Sequence, residues 1–270
     1  MTVLLTERNT GEAWPHPPYH LKCLENQAKE GYDALGIMAV LLKEDEEIDA
    51  FLDGELRIIQ SRHGYRFSVD ALLLAEFVSV TPEDAVVDLG AGCGIISLRL
   101  AKEGRAGNII GLELQEELVS QAKRNAALNG LEEQIAILQG DLMALPLAPR
   151  CADVVVCNPP YRKDRSGRIN PDPGKAIARH EIAMTLADIL AAGKTLLRSG
   201  GKLALIYPAN RLTEVFSNMR SQDLEPKRLQ VIYPDSASPA KLAMIEGRLG
   251  AKSGLIILPP LFGQGRFSIR

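Results

Sequence analysis

The chain has 270 residues, 46% hydrophobic and 24% charged, with 31 Lys and Arg against 34 Asp and Glu, a composition that excludes a disordered tail or a fibre. Its longest apolar stretch, residues 34–42, is far short of the roughly 20 residues a membrane helix needs and runs into Lys43-Glu44-Asp45-Glu46-Glu47. Residues 1–37 lack the basic start and apolar core of an export signal, and four cysteines without a C-x-x-C pair suit a reducing compartment; a cytoplasmic protein with no membrane span and no metal is expected.

In chain order, residues 1–50 read as an amino-terminal extension, partly helical or poorly ordered, with a short helix over residues 38–50 and Met38 as a candidate natural start. Residues 51–270 read as one α/β domain. Phe67, Ala71, Leu74, Ala75 and Val78 have helical spacing. From residue 85, short β-branched runs alternate with helical stretches: strand 85–89, helix 95–103, strand 108–113, helix 115–129 closed by Gly130, and strand 135–139. A Val-rich strand at 152–157 suits the centre of a parallel sheet. A helix over 185–197 ends at Ser199-Gly200-Gly201, followed by strand 202–207, helix 211–222 and closing strands at 229–233 and 254–258. Such alternation predicts a doubly wound, mostly parallel, seven-stranded sheet covered by helices on both faces. Ligands of such sheets lie beyond the carboxyl ends of the strands, near the point where the strand order reverses.

The residues that follow those strand ends carry the chemistry. After the first comes Asp88-Leu89-Gly90-Ala91-Gly92-Cys93-Gly94, directly before a helix. Glycines there let the backbone turn tightly and let a ligand lie against main-chain N–H groups. A dinucleotide or S-adenosylmethionine would suit this turn, but the dinucleotide fingerprint needs a glycine at 95, where Ile95 stands. Glu113 ends the second strand, where its carboxylate can accept hydrogen bonds from a ribose diol or cap the next helix. After the third strand, Asp141 can take the exocyclic amine of an adenine while the Leu142 N–H reaches a ring nitrogen, although Asp is common in turns.

The fourth strand ends in Asn158-Pro159-Pro160-Tyr161. An amide oxygen and a carbonyl stiffened by two prolines offer two acceptors, with an aromatic ring beside them, and suit a planar substrate that bears an NH2 group. A basic run follows, with Arg162, Lys163, Arg165 and Arg168 in a Gly/Pro-rich context, and reads as a loop that grips phosphate. The charge is divided unevenly in the same sense: residues 1–157 carry 13 basic and 25 acidic side chains, and residues 158–270 carry 18 and 9. The later part would draw a polyanion, or its basic residues simply decorate helix surfaces.

The glycine loop with Asn158-Pro159-Pro160-Tyr161 resembles the class I S-adenosylmethionine-dependent N-methyltransferases. More narrowly, residues 60–75, which include Gly64-Tyr65-Arg66-Phe67-Ser68 and Asp70-Ala71-Leu72-Leu73-Leu74-Ala75, are similar to the bacterial enzymes that methylate adenine N6 beside the anticodon of valine tRNA. Pro239-Ala240-Lys241-Leu242, Glu246-Gly247 and the stretch 255–260 add to the likeness, which covers roughly residues 50–262.

The resemblance implies a Rossmann-like methyltransferase fold, S-adenosylmethionine as cofactor and tRNA as partner. It also implies that Asp88, Gly90, Gly92 and Gly94 hold the methionine part of the cofactor, Glu113 its ribose, and Asp141 with Leu142 its adenine. Tyr65, Phe67 and Asp70 would close over the methionine carboxylate, with Asn158 between cofactor and substrate. Asn158 and Pro159 would hold the amine and Tyr161 would stack on the base. A glutamine methyltransferase acting on a release factor, a guanine-N2 methyltransferase of ribosomal RNA and a non-catalytic RNA-binding relative remain open on these residues.

Overall fold

The computed structural model describes residues 42–52, 54–64, 66–159 and 185–263. Two strands open it, β1 Glu46–Phe51 and β2 Leu56–Ser61, paired antiparallel as a hairpin from Glu46 against Ser61 to Phe51 against Leu56. The reading of residues 38–50 as a helix is therefore overturned from Glu46 onward, and residues 38–41 lie outside the described part. The acidic run has some helical preference, but β2 buries Leu56, Ile58 and Ile59 completely, and pairing with that strand outweighs local propensity.

Helix α1, Val69–Phe77, leads into the main sheet, in which β3 Ala85–Leu89, α2 Ile95–Lys102, β4 Asn108–Glu113, α3 Glu116–Leu128, β5 Ile135–Gln139 and β6 Ala152–Cys157 follow one another. Glu116 and Glu117 in the first turn of α3 complement the positive end of its dipole. Beyond β6 come α4 Leu186–Leu196, β7 Leu197–Pro208, α5 Leu212–Ser221, β8 Leu224–Tyr233 and β9 Leu242–Leu249, then the two-residue strands β10 Ile256–Ile257 and β11 Leu261–Phe262. Thr185 and Asp188 cap α4 reciprocally, the Asp188 N–H donating to the Thr185 hydroxyl and the Thr185 N–H to the Asp188 carboxylate.

The sheet runs β10-β8-β9-β7-β6-β3-β4-β5, with β11 also on β8. Strands β3, β4, β5, β6 and β7 are mutually parallel, while β9 is antiparallel to both β7 and β8. The expected mostly parallel α/β sheet is thus present, with nine strands among the described residues where seven were expected, because the short β10 and β11 add to its edge. Its centre is apolar on both faces, with Val86, Val87, Val154, Val155 and Val156 all buried.

One strand assignment needs correction. Residues 254–258 were expected as a closing strand, but only Ile256–Ile257 pair there, at the sheet edge, and the strand beside β7 is β9. Glu246 and Gly247 break its apolar pattern. Glu246 nevertheless sits 4% exposed, because Arg228 approaches its carboxylate at 3.2 Å and the Ser79 N–H donates to it at 2.9 Å.

Candidate active site

The strand order reverses between β3 and β6. The chain leaves β3 toward β4 and β5, then returns to place β6 on the other flank of β3. Register aligns the carboxyl ends: Leu89 lies opposite Leu112 on one side and Cys157 on the other, and Glu113 lies opposite Gln139. One step further along, Gln139, Glu113, Gly90 and Asn158 therefore fall in one row. Three positions expected from sequence to act together, Gly90, Glu113 and Asn158, are brought to one edge, and Asp141 follows two residues after Gln139.

The glycine loop is fastened to β4. The Gly90 and Ala91 N–H groups both donate to the Leu112 carbonyl, at 2.8 and 3.0 Å. Gly90 has φ +69°, and a Cβ there would meet nothing within 4 Å among the described residues, so this bend is open on that side. A glycine is required by the left-handed backbone and not by packing, which suits close approach of a ligand. Glu113, 3% exposed, holds the loop from below: its Oε2 accepts the Gly92 N–H at 2.8 Å and its Oε1 the Gln115 N–H at 2.9 Å. The Glu113 carboxylate thus ties the glycine loop to Gln115, which precedes α3.

Asp88 is 1% exposed at the end of β3. The Ser97 hydroxyl donates to Oδ2 at 2.8 Å, while Oδ1 is buried with no partner among the described residues. Burial pushes its carboxyl up to about 7, and the Glu113 charge acts in the same direction. An orphaned buried acceptor beneath an open glycine bend fits a cationic ligand group.

Asp141 is half-buried, and its Oδ1 accepts the Met143 N–H at 2.8 Å, capping a one-turn 3-10 helix at Leu142–Ala144. The Gly140 N–H donates to the Glu113 carbonyl at 2.9 Å and draws this turn to the end of β4. On the opposite flank, the Phe67 ring is 7% exposed and packs 5.0 Å from Phe51, edge to face, so it belongs to the core. Asp70 is half-buried in the first turn of α1; burial raises its pKa, opposed by the Ser68 hydroxyl and by Lys241.

Asn158 is half-buried and Pro159 buried where β6 ends. Tyr65, Tyr161, Arg162, Lys163, Arg165 and Arg168 lie outside the described residues. Of the basic residues in the described later part, Arg198 pairs with Asp153, Arg211 with Glu214, Arg220 with Glu225 and Arg228 with Glu246. Three of these four acids belong to the same part of the chain, so the pairs fix individual arginines in the fold but leave the surplus of positive charge almost unchanged. Asn125, Gln60 and Ser97, which bond to the site or to its supports, were not read from sequence; a polar residue on the apolar face of a helical pattern was the available signal for Asn125 and Ser97. No group of three or more His, Cys, Asp or Glu able to hold a metal is found among the described residues, and no described helix is long and apolar enough to cross a membrane.

A family model described as a methyltransferase domain matches residues 81–245. A tRNA1(Val) (adenine(37)-N6)-methyltransferase from Aeromonas hydrophila is 30% identical over 171 residues, which cover 63% of this chain and 71% of that protein. Its namesake from Bacteroides thetaiotaomicron is 28% identical over 179 residues, 66% of this chain and 74% of the relative. Among solved structures, a predicted O-methyltransferase from Agrobacterium tumefaciens aligns with a TM-score of 0.57 at 22% identity, over 72% of this chain and 86% of that one. P. horikoshii TYW2 in complex with MeSAdo aligns at 0.55 and 15% identity, over 77% and 73%. These two likenesses speak for the fold.

Proposed function

Because the chain belongs to the methyltransferase domain family, we propose that it transfers a methyl group from S-adenosylmethionine to the exocyclic N6 of an adenine in tRNA, the reaction for which its 30% identical relative is named. The observation that carries this reading is the alignment of Gly90, Glu113 and Asn158 at neighbouring strand ends, with Pro159 directly after.

The residues fit the cofactor. Asp88 supplies a buried acceptor for an ammonium, the open face of Gly90 admits the backbone of an amino acid, and Glu113 stands beside the glycine loop as a carboxylate suited to ribose hydroxyls. Asp141 and Leu142 stand just after the next strand end for the adenine, and Asp70 lies in the first turn of α1. When bound, S-adenosylmethionine supplies a methyl already activated by its sulfonium, so the protein needs to align an acceptor and exclude water.

Adenine N6 is a poor nucleophile because its lone pair is delocalised into the ring. The Asn158 side-chain oxygen and the Pro159 carbonyl each accept one N6–H, which favours a pyramidal nitrogen and localises the pair. Tyr161 stacks on the base, a contact worth about 1–3 kcal/mol by analogy with other base-aromatic stacking. The N6 proton becomes acidic as the new bond forms, so no dedicated base is required. Arg162, Lys163, Arg165 and Arg168 hold substrate phosphates. A tRNA substrate supports the expectation of a cytoplasmic enzyme.

The test is to incubate total tRNA and a purified release factor separately with isotopically labelled S-adenosylmethionine and to analyse nucleosides and peptides by mass spectrometry. Label in N6-methyladenosine from tRNA is expected. Label confined to a glutamine of the release factor would replace this reading with the alternative substrate.

A further inference from the structure

The hairpin β1–β2 belongs to neither the main sheet nor the row of strand ends, yet it is bonded to the glycine loop through a single side chain. Asn125, on α3, is 0% exposed. Its Oδ1 accepts the Ile59 N–H at 2.7 Å, and its Nδ2 donates to the Ile59 carbonyl at 3.2 Å and to the Cys93 carbonyl at 2.9 Å. One amide thus makes two bonds to the backbone of β2 and one to the backbone of the loop, between two glycines with φ +58° and +87°. Such a backbone has few side-chain contacts of its own to hold its curvature, so a buried bond to the Cys93 carbonyl is a strong constraint on it.

Four residues on, Asn129 repeats half of this pattern. Its Oδ1 accepts the Arg57 N–H at 2.9 Å and its Nδ2 donates to the Arg57 carbonyl at 2.7 Å, but it has no bond to the glycine loop. Both asparagines therefore fasten the hairpin to α3, and only Asn125 reaches the loop. From β2 the constraint continues to the other flank of the site: the buried Gln60 accepts the Phe67 N–H at 3.1 Å and donates to Asp49 at 2.7 Å.

We propose that Asn125 is a positioning residue for the cofactor site, which sets the curvature of the Gly92–Gly94 turn and couples it to the β1–β2 hairpin. This rests on the reading that the glycine loop binds S-adenosylmethionine. The hairpin is then part of the machinery that shapes cofactor binding, and its occupancy of the position beside α3 governs affinity.

The experiment compares wild type, Asn125→Ala and Asn129→Ala by thermal unfolding, by calorimetric titration with S-adenosylhomocysteine, and by the kinetics of methyl transfer to tRNA. Both variants are expected to lose stability. Asn125→Ala is expected to weaken cofactor binding and raise the KM for S-adenosylmethionine at least tenfold with kcat within a few fold of wild type, and Asn129→Ala to leave both affinities within about twofold. A purely structural role lowers the folded fraction, and with it kcat, in both variants while KM stays put; equal affinity changes in the two variants overturn the proposal. Should Asn125→Ala not fold, amide-resolved hydrogen exchange of the wild-type protein decides: saturating S-adenosylhomocysteine slows exchange of the Ile59 amide more than that of Arg57, and equal slowing of both overturns the coupling. If wild type itself binds no cofactor, the reading of the glycine loop fails, which is a separate outcome.

Discussion

Arg124 grips Glu46 with both terminal nitrogens, each 2.6 Å from a carboxylate oxygen, and so joins α3 to the start of β1. Glu46 is 5% exposed, and its Oε2 also accepts the Lys43 N–H at 2.9 Å. The Arg124 hydrogen bond holds its carboxyl down to about 2, against an ordinary 4.5. A depressed folded-state pKa means the unfolded chain binds the proton more readily as pH falls. The stabilisation is therefore complete above about pH 4.5 and is lost as pH falls toward 2. Arg124→Met, which leaves a buried carboxylate without its partner, is expected to cost roughly 3 kcal/mol at pH 7. The difference from wild type should shrink in urea titrations carried down through pH 4, and a difference that stays constant with pH would refute the assignment.

Asp88 shifts in the opposite sense. Its folded pKa, about 7, lies above the ordinary 3.8, so the folded apoprotein holds the proton more tightly than the unfolded chain and loses stability as pH rises between those values. An ammonium at Oδ1 needs the ionised form. Affinity for S-adenosylmethionine is expected to rise as pH climbs through 7, and Asp88→Asn should weaken binding and flatten that slope. Calorimetry across pH 6–8 reads both, and an unchanged slope in the variant excludes Asp88 as its source.

Gly90→Ala separates strain from ligand contact. At φ +69° an alanine costs about 1–2 kcal/mol of stability, yet its methyl touches nothing among the described residues. If the open face is where the cofactor lies, binding should fall by more than tenfold while the melting temperature drops only a few degrees. Retained affinity with the expected melting shift would place the ligand elsewhere.

Asn158→Ala removes one of two acceptors proposed for the adenine amine. Turnover on tRNA is expected to fall roughly 10²-fold or more, by comparison with loss of a single preorganised hydrogen bond in other sites. Binding of S-adenosylhomocysteine should remain within a few fold. Equal turnover in variant and wild type would rule out this role.

The elements nearest the site were legible because their causes are local. The Val-rich runs of β3 and β6, the three glycines before α2 and the Gly130 signal after α3 each act within a few residues, and strands β3, β4, β5 and β6 fall where periodicity puts them. The strand-end position of Asn158 followed from the same pattern, and the reversal of strand order placed it beside Gly90.

What tertiary structure alone decided involves partners distant in sequence. Helical preference in the acidic run at Glu46 yields to a strand because Arg124 lies 78 residues on and β2 supplies the pairing edge. Strand β9 carries Glu246 into the interior because Arg228 and the Ser79 N–H wait there, and periodicity has no way to register a buried charge whose counterion is not yet placed. Asn125 bonds Ile59 across 66 residues and Cys93 across 32. A buried polar group is stable only where its partners converge, and that convergence is a property of the folded chain, whereas a glycine turn or an apolar strand is written in the residues themselves.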